Sequence, residues 1–181
     1  MQTEARYIQI RSMDVANGEY IGCAVFFQGC PFHCKNCFNQ ETWDMDGGKA
    51  WTDETTQEVL HLVSGSHLKR ITFLGGEPMI DRNLGLLESL VHSIKDIRPD
   101  IKIWVYSGFL YEDLITRKGR EKEILNVLEC VDTLVDGTFK EELKDFKLRF
   151  RGSANQRIID VQESLKQGVV VCDERLMKLR D

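Results

Sequence analysis

Cys30, Cys34 and Cys37 stand at C-x3-C-x2-C spacing within Cys30-Pro31-Phe32-His33-Cys34-Lys35-Asn36-Cys37, close enough for three thiols to meet one inorganic centre. Thiolates in such a loop suit zinc or an iron-sulfur cluster, and a 4Fe-4S cube normally takes four cysteines. With three supplied locally, one iron is left for a non-protein ligand, as a catalytic cluster requires. The competing reading is a structural zinc knuckle completed by His33 or Cys23, since zinc also favours four Cys and His ligands. Six cysteines without a recognisable export signal are expected to remain thiols, and three crowd into eight residues, so a metal centre is favoured over disulfides.

The loop must be delivered by a strand. Cys23-Ala24-Val25-Phe26-Phe27 is a short continuous apolar run that ends at Gly29 and Cys30. Thr52 then reads as a helix N-cap with Asp53 and Glu54 in the first turn, Val59, Leu60 and Val63 on the apolar face, and Gly65 as the stop. Ile71-Thr72-Phe73-Leu74 is a second buried strand, and Leu84, Leu87, Leu90, Val91 and Ile94 give a helix up to the break at Pro99. Residues 101–106 form a third strand, followed by helical spacing at Ile124, Leu125 and Leu128; residues 131–135 form a fourth. Residues 141–150 are charged and carry no clear period, while residues 157–161 and 168–172 read as two short strands. Strand-then-helix alternation with apolar strands predicts an α/β fold around a parallel sheet, with the polar motifs at strand C-terminal ends where ligands bind.

The second such strand end is Gly75-Gly76-Glu77-Pro78, and the third is Ser107-Gly108-Phe109. Each on its own reads as a turn. In company with the cysteine loop they resemble the radical S-adenosylmethionine (AdoMet) superfamily. The likeness extends through Asp14-Val15-Ala16-Asn17-Gly18, Gly29-Cys30, Phe38-Asn39 with Thr42-Trp43, Trp104-Val105-Tyr106-Ser107-Gly108-Phe109, Leu134-Val135-Asp136-Gly137-Thr138-Phe139 and Arg151-Gly152-Ser153-Ala154-Asn155-Gln156. Together, over about residues 14–160, these are similar to the activating proteins of anaerobic (class III) ribonucleoside-triphosphate reductases.

The resemblance implies a partial, open (βα) barrel of the radical AdoMet type with a mostly parallel sheet. It also implies a 4Fe-4S cluster on Cys30, Cys34 and Cys37 as the catalytic centre, with AdoMet on the open iron. Gly75, Gly76 and Glu77 correspond to the segment that holds the methionine amino group: glycines admit close backbone approach, and a carboxylate accepts from an ammonium. Ser107 and Gly108 are candidates for the ribose or carboxylate of AdoMet, and Asp136 and Gly137 stand between that role and a polar turn. Arg151, Asn155 and Gln156 would complete the site, dock a partner, or form a solvated loop. The implied activity is reductive cleavage of AdoMet with formation of a glycyl radical on the large subunit of the reductase, fed by a flavodoxin-like or ferredoxin-like donor. The rivals are activation of another glycyl radical enzyme of the pyruvate formate-lyase type, a small-molecule member such as a deazapurine synthase, and a non-enzymatic iron-sulfur or zinc protein. One departure stands out: many radical AdoMet proteins have an aromatic residue before the third cysteine, whereas this chain has Asn36, leaving Phe32 or Phe38 to pack the adenine.

Composition agrees with an ordinary globular chain. Hydrophobic residues at 42% and charged residues at 29% suit neither disorder nor a fibre, and 181 residues suit one domain, with the motifs in residues 14–160 and a C-terminal extension over 161–181. Residues 1–11 alternate polar and apolar positions, and no run reaches the roughly 20 apolar residues of a membrane span, so a cytoplasmic protein without a membrane partner is expected. A net charge of -5 offers no footprint for nucleic acid. Cys23, Cys130 and Cys172 read as small buried hydrophobes, and His61, His67 and His92 as helix or loop residues rather than ligands.

Overall fold

The computed structural model describes residues 4–65 and 67–179; the first three positions of the alternating N-terminal stretch and the last two of the C-terminal extension lie outside them. Seven strands form one open sheet in the order β3-β1-β2-β4-β5-β6-β7: β1 (Arg6–Asp14), β2 (Gly22–Phe27), β3 (Lys49–Ala50), β4 (Arg70–Gly75), β5 (Lys102–Tyr106), β6 (Thr133–Asp136) and β7 (Arg157–Asp160). β2, β4, β5 and β6 run parallel in the centre, as the strand-then-helix pattern predicts. The flanks differ from that expectation, because β1 pairs antiparallel with β2 and β3, and β7 antiparallel with β6. The reason at the β7 end is local. Residues 137–156 contain a 3-10 turn (Glu141–Leu143) and one isolated antiparallel bridge, Lys144 to Ser153, and without a crossover helix the chain returns antiparallel.

The helices are α1 (Asp53–Ser64), α2 (Asp81–Ile97), α3 (Tyr111–Ile115), α4 (Glu121–Cys130), α5 (Val161–Gln167) and α6 (Glu174–Met177). Thr52 caps α1 in a capping box with Thr55, its hydroxyl accepting from the Thr55 N–H at 3.2 Å, and Gly65 follows its last turn. Gly168, at φ +69°, ends α5 where sequence reading places a strand; of residues 168–172 only Cys172 makes a bridge, to Ile159.

Strand side chains alternate between two environments. Cys23, Val25, Phe27, Ile71, Phe73, Ile103, Val105 and Leu134 face one layer of helices and join Val59, Leu87, Ile94, Leu114, Ile124 and Leu128 in the main core. The opposite face carries two small clusters, Ala24-Phe26-Leu74 and Trp104-Val135-Ile158-Leu176, and the cavity. Among the described residues, no helix is long and apolar enough to cross a membrane.

Candidate functional site

The cysteine loop is built by backbone constraints on either side of it. After β2, the buried Gln28 amide donates to the carbonyls of Glu41 (3.1 Å) and Asp44 (2.8 Å), and the N–H groups of Gly29 and Cys30 donate to Thr42 (2.8 Å) and Trp43 (3.2 Å). The loop is thereby folded back on itself. Gly29 sits at φ +91°, and His33 and Asn36 occupy the left-handed region at φ +46° and +55°. Asn is one of the side chains that tolerates this region, which accounts for Asn36 where an aromatic residue is common in the resembling proteins. The Cys37 N–H closes a turn onto the Cys34 carbonyl at 3.0 Å, and the Asn39 N–H points at the Cys37 sulfur from 3.4 Å.

Cys30, Cys34 and Cys37 are free, half-buried, and line one cavity of about 590 Å³. Burial pushes the Cys30 thiol up to about 11 against the opposing pull of the Phe32 and His33 backbone, and burial also raises Cys34. Neither partner of the zinc alternative lines the cavity. Cys23 is buried on the helix-covered face, and the His33 ring stacks on Trp43 at 4.8 Å. Among the described residues, no three His, Cys, Asp or Glu side chains gather closely enough for a single metal ion. A 4Fe-4S cube makes no such demand, because each thiolate binds its own iron.

The strand-end loops of β4 and β5 lie beside the thiols. Gly75, at φ +99°, has no room for a side chain, since a Cβ would come within 2.8 Å of Phe26 Cα. At Gly76 a Cβ would stand 2.5 Å from the Gly29 carbonyl oxygen. The backbone that approaches these glycines is thus the chain's own end of β2 and the start of the cysteine loop, tied by Gly76 N–H to Phe27 O and Glu77 N–H to Gly29 O, both at 2.8 Å. Glu77 is 1% exposed. Its carboxylate accepts from the Met79 N–H (2.9 Å), the Ser107 hydroxyl (2.9 Å) and the Gly108 N–H (2.6 Å). These bonds engage most of the roughly four acceptor positions of a carboxylate. Burial nevertheless raises Glu77 to about 7, with the Gly108, Met79 and Ser107 donors opposing it. The Ser107 oxygen also accepts from the Phe109 N–H at 3.1 Å, and Gly108 leaves space for the Phe32 ring, which a Cβ would meet at 2.4 Å. Glu77, Ser107 and Gly108 therefore bind the β4 and β5 loops to each other at the cavity wall.

The remaining walls come from farther along the chain. Asp136 is fully buried and faces away from a ligand role, accepting from the Tyr111 N–H at 2.9 Å and pairing with Arg157; Gly137 lines the cavity. Gln156 accepts from the Gly152 and Ser153 N–H groups and donates to the Gly137 carbonyl, and Asn155 donates to the Thr138 carbonyl. Arg151 holds the carbonyls of Leu176 (3.2 Å) and Met177 (2.9 Å), docking α6 over the sheet. Phe32 packs edge-on to Phe109 at 4.9 Å, and Phe38 packs on Phe139 at 5.3 Å. Arg11, Lys144 and Phe146 also line the cavity and were not legible from motif spacing; residues 141–150 carry no periodicity that would place them.

The fully buried Arg70 positions the wall formed by Ala16 and Asn17. Its guanidinium donates to the Asp14 carboxylate and carbonyl (both 2.9 Å), to the Glu19 carbonyl (2.9 Å) and to Thr72, whose hydroxyl reaches the Asn17 carbonyl at 2.8 Å. Of the other candidates, Cys130 and Cys172 are only half-buried, and the Cys130 sulfur lies 3.5 Å from His92 Nδ1.

Residues 16–159 match the family of the 4Fe-4S single cluster domain. The chain is similar to the anaerobic ribonucleoside-triphosphate reductase-activating protein of Haemophilus influenzae, at 35% identity over 154 residues, covering 84% of this chain and 96% of that protein. The protein of the same name from Vibrio cholerae matches at 35% over the same coverage, and that of Enterobacteria phage T4 at 32% over 152 residues, 84% of this chain and 92% of the relative. With nearly the full length of each relative aligned and the cluster-domain match spanning most of the chain, this protein belongs to the family of anaerobic ribonucleoside-triphosphate reductase-activating proteins.

Proposed function

We propose that this chain cleaves AdoMet reductively at a 4Fe-4S cluster held by Cys30, Cys34 and Cys37, and so installs a glycyl radical on the anaerobic ribonucleoside-triphosphate reductase. On this reading the parallel centre of the sheet is the partial barrel of radical AdoMet proteins, and a reduced flavodoxin-like or ferredoxin-like protein supplies the electron. The observation that carries it is the opening of three thiols, two strand-end loops and an aromatic wall onto one cavity of about 590 Å³. That volume falls within the range of small-molecule sites, roughly 300–1,000 Å³.

The donor set fits the cluster. Three free thiols face the cavity, and an N–H already points at one sulfur, a contact of the kind that tunes cluster potentials. When bound, the cluster and AdoMet supply one-electron cleavage of a carbon–sulfur bond, and with it the hydrogen-atom acceptor that a glycine Cα–H needs. The chain's residues do the rest. Cys30, Cys34 and Cys37 lose their protons on ligation, as metal binding requires of thiols. The Glu77-Ser107-Gly108 bonds tie the two loops to each other, and Phe32, packed edge-on to Phe109 behind it, lines the wall with apolar surface that excludes water.

The test is anaerobic reconstitution with iron and sulfide, reduction, and addition of AdoMet with and without the reductase. The expected results are 5′-deoxyadenosine by chromatography and a glycyl doublet by electron paramagnetic resonance only when the reductase is present. A reduced, cluster-loaded protein that leaves AdoMet intact would make it an electron carrier. Formation of 5′-deoxyadenosine with a doublet on pyruvate formate-lyase and none on the reductase would assign it to another glycyl radical enzyme.

A further inference from the structure

The lip of the cavity carries an exposed aromatic and cationic patch. Phe146 is 81% exposed and Phe38 is 60% exposed. Single exposed apolar side chains are ordinary on a protein surface, but these two share one cation. The Lys144 ammonium lies 5.1 Å from the centroid of each ring. Among the described residues it has no ion pair or hydrogen bond of its own, and the neighbouring Asp145 is turned back to accept from the Lys147 N–H at 2.8 Å. Two exposed rings and an ammonium without an ion pair therefore stand together at the mouth of the cavity that the three thiols line.

This combination selects its occupant. Rings reward an apolar side chain, and the ammonium rewards a carboxylate beside it, while the chain as a whole is acidic, at -5, and repels acidic partners elsewhere. The patch is continuous with the cavity, so whatever covers it also places its neighbouring residues over the thiols. Hydrogen-atom transfer needs the target within a few ångströms, and a glycine flanked by anchoring residues can reach inward where a bulkier residue cannot.

Resting on the activase reading above, we infer that Phe38, Lys144 and Phe146 form the docking point for an extended, glycine-bearing segment of the reductase, which sets an apolar side chain against the two rings and a carboxylate on Lys144. The test measures the anaerobic affinity of the cluster-loaded protein for the reductase, and the reductase concentration that gives half the maximal glycyl signal. Lys144→Glu and Phe146→Ser each weaken both by about tenfold or more, the range of central aromatic and charged interface residues. Lys144→Arg stays within about threefold of wild type because the charge and the ring contacts persist. Lys122→Glu, on the helix-covered side, changes neither. Iron content and thermal midpoint are read on every variant, so a folding defect is seen directly. Affinities within twofold of wild type for both Lys144→Glu and Phe146→Ser overturn the docking site while leaving AdoMet cleavage untouched. A wild-type dimer that Phe146→Ser makes monomeric, at unchanged affinity for the reductase, overturns it too, because the occupant is then a second copy of this chain. A wild-type protein that yields no 5′-deoxyadenosine removes the activase reading, and this inference falls with it.

Discussion

Adding one methyl group at Gly76 tests the contact that joins the glycine turn to the cysteine loop. In Gly76→Ala the new Cβ would lie 2.5 Å from the Gly29 carbonyl oxygen, 3.0 Å from its carbon and 3.1 Å from its nitrogen. A carbon–oxygen contact relaxes at roughly 3.3 Å or more, so one loop must retreat by most of an ångström. All three clashing atoms are backbone, and no side chain can turn away. Overpacking of this kind costs about 1–3 kcal/mol. The Gly76 N–H to Phe27 and Glu77 N–H to Gly29 bonds stretch with it, at about 1 kcal/mol each if lost. The expected destabilisation is therefore about 2–4 kcal/mol, or roughly 5–15 °C in the thermal midpoint of a chain this size. Circular dichroism of the iron-free protein measures it without interference from the cluster. Because Gly29 adjoins Cys30, reconstituted iron and sulfide content falls as well. A Gly76→Ala protein that melts within 1–2 °C of wild type and takes up a full cluster would refute the rigid-contact argument.

Cys30→Ser, Cys34→Ser and Cys37→Ser each abolish the cluster's absorbance and iron content after reconstitution, whereas Cys130→Ser, Cys172→Ser and Cys23→Ala retain both; full iron retention in Cys34→Ser would dismantle the ligand assignment. Gly85→Ala, on an exposed turn of α2 with nothing within 4 Å of the new Cβ, raises stability by about 0.5–1 kcal/mol in urea unfolding, and an unchanged or lower midpoint would count against the packing described. Burial would raise Asp14, but the Asn17 and Arg70 hydrogen bonds outweigh it and hold the carboxyl below its ordinary 3.8. The stability it contributes is thus present above that value and lost as pH falls through the folded value. Asp14→Ala strands the buried Arg70 cation, costs about 3–5 kcal/mol at pH 7, and flattens the acid limb of the stability–pH curve; an unaltered acid limb would contradict the linkage.

The central strands were readable because their signal is local. Continuous apolar runs such as Cys23-Ala24-Val25-Phe26-Phe27 and Ile71-Thr72-Phe73-Leu74 are what strands covered on both faces look like, and these became β2 and β4. Thr52 and Gly65 likewise announce the ends of α1 within a few residues. β1 was less visible. Its alternation sits at the flank of the sheet, and only pairing with β2 turns it into a nine-residue strand. Within the site, the cysteine loop and the Gly-Gly-Glu turn were legible as motifs, but the reasons for their residues were not. Gly76 meets Gly29, Glu77 meets Ser107 and Gly108, and Arg70 meets Asp14, each across many residues of chain. Spacing cannot report such partners, since only the folded sheet brings them together. Lys144 and Phe146 belong to a stretch whose charges follow no period, so nothing local places them at the cavity mouth.

The way buried polar groups are used bears on how the site works. A carboxylate and a hydroxyl near a cavity are the first candidates for touching a ligand, yet here Glu77 and Ser107 bond chiefly to each other and to backbone N–H groups. Gln28, Arg70 and Gln156 follow the same rule, each fixing a loop by its carbonyls or N–H groups. Loops held by several such bonds lose little freedom when a ligand arrives, so binding does not have to order them. For the hydrogen-atom chemistry proposed here, that rigidity has a direct use: a reactive centre is selective only if its surroundings keep other C–H bonds and water at a distance. On the reading proposed above, contact with AdoMet falls largely to backbone atoms and aromatic faces. Substitutions that loosen the loops, at Glu77 or Arg70, should let cleavage of AdoMet run ahead of glycyl radical formation before they abolish it.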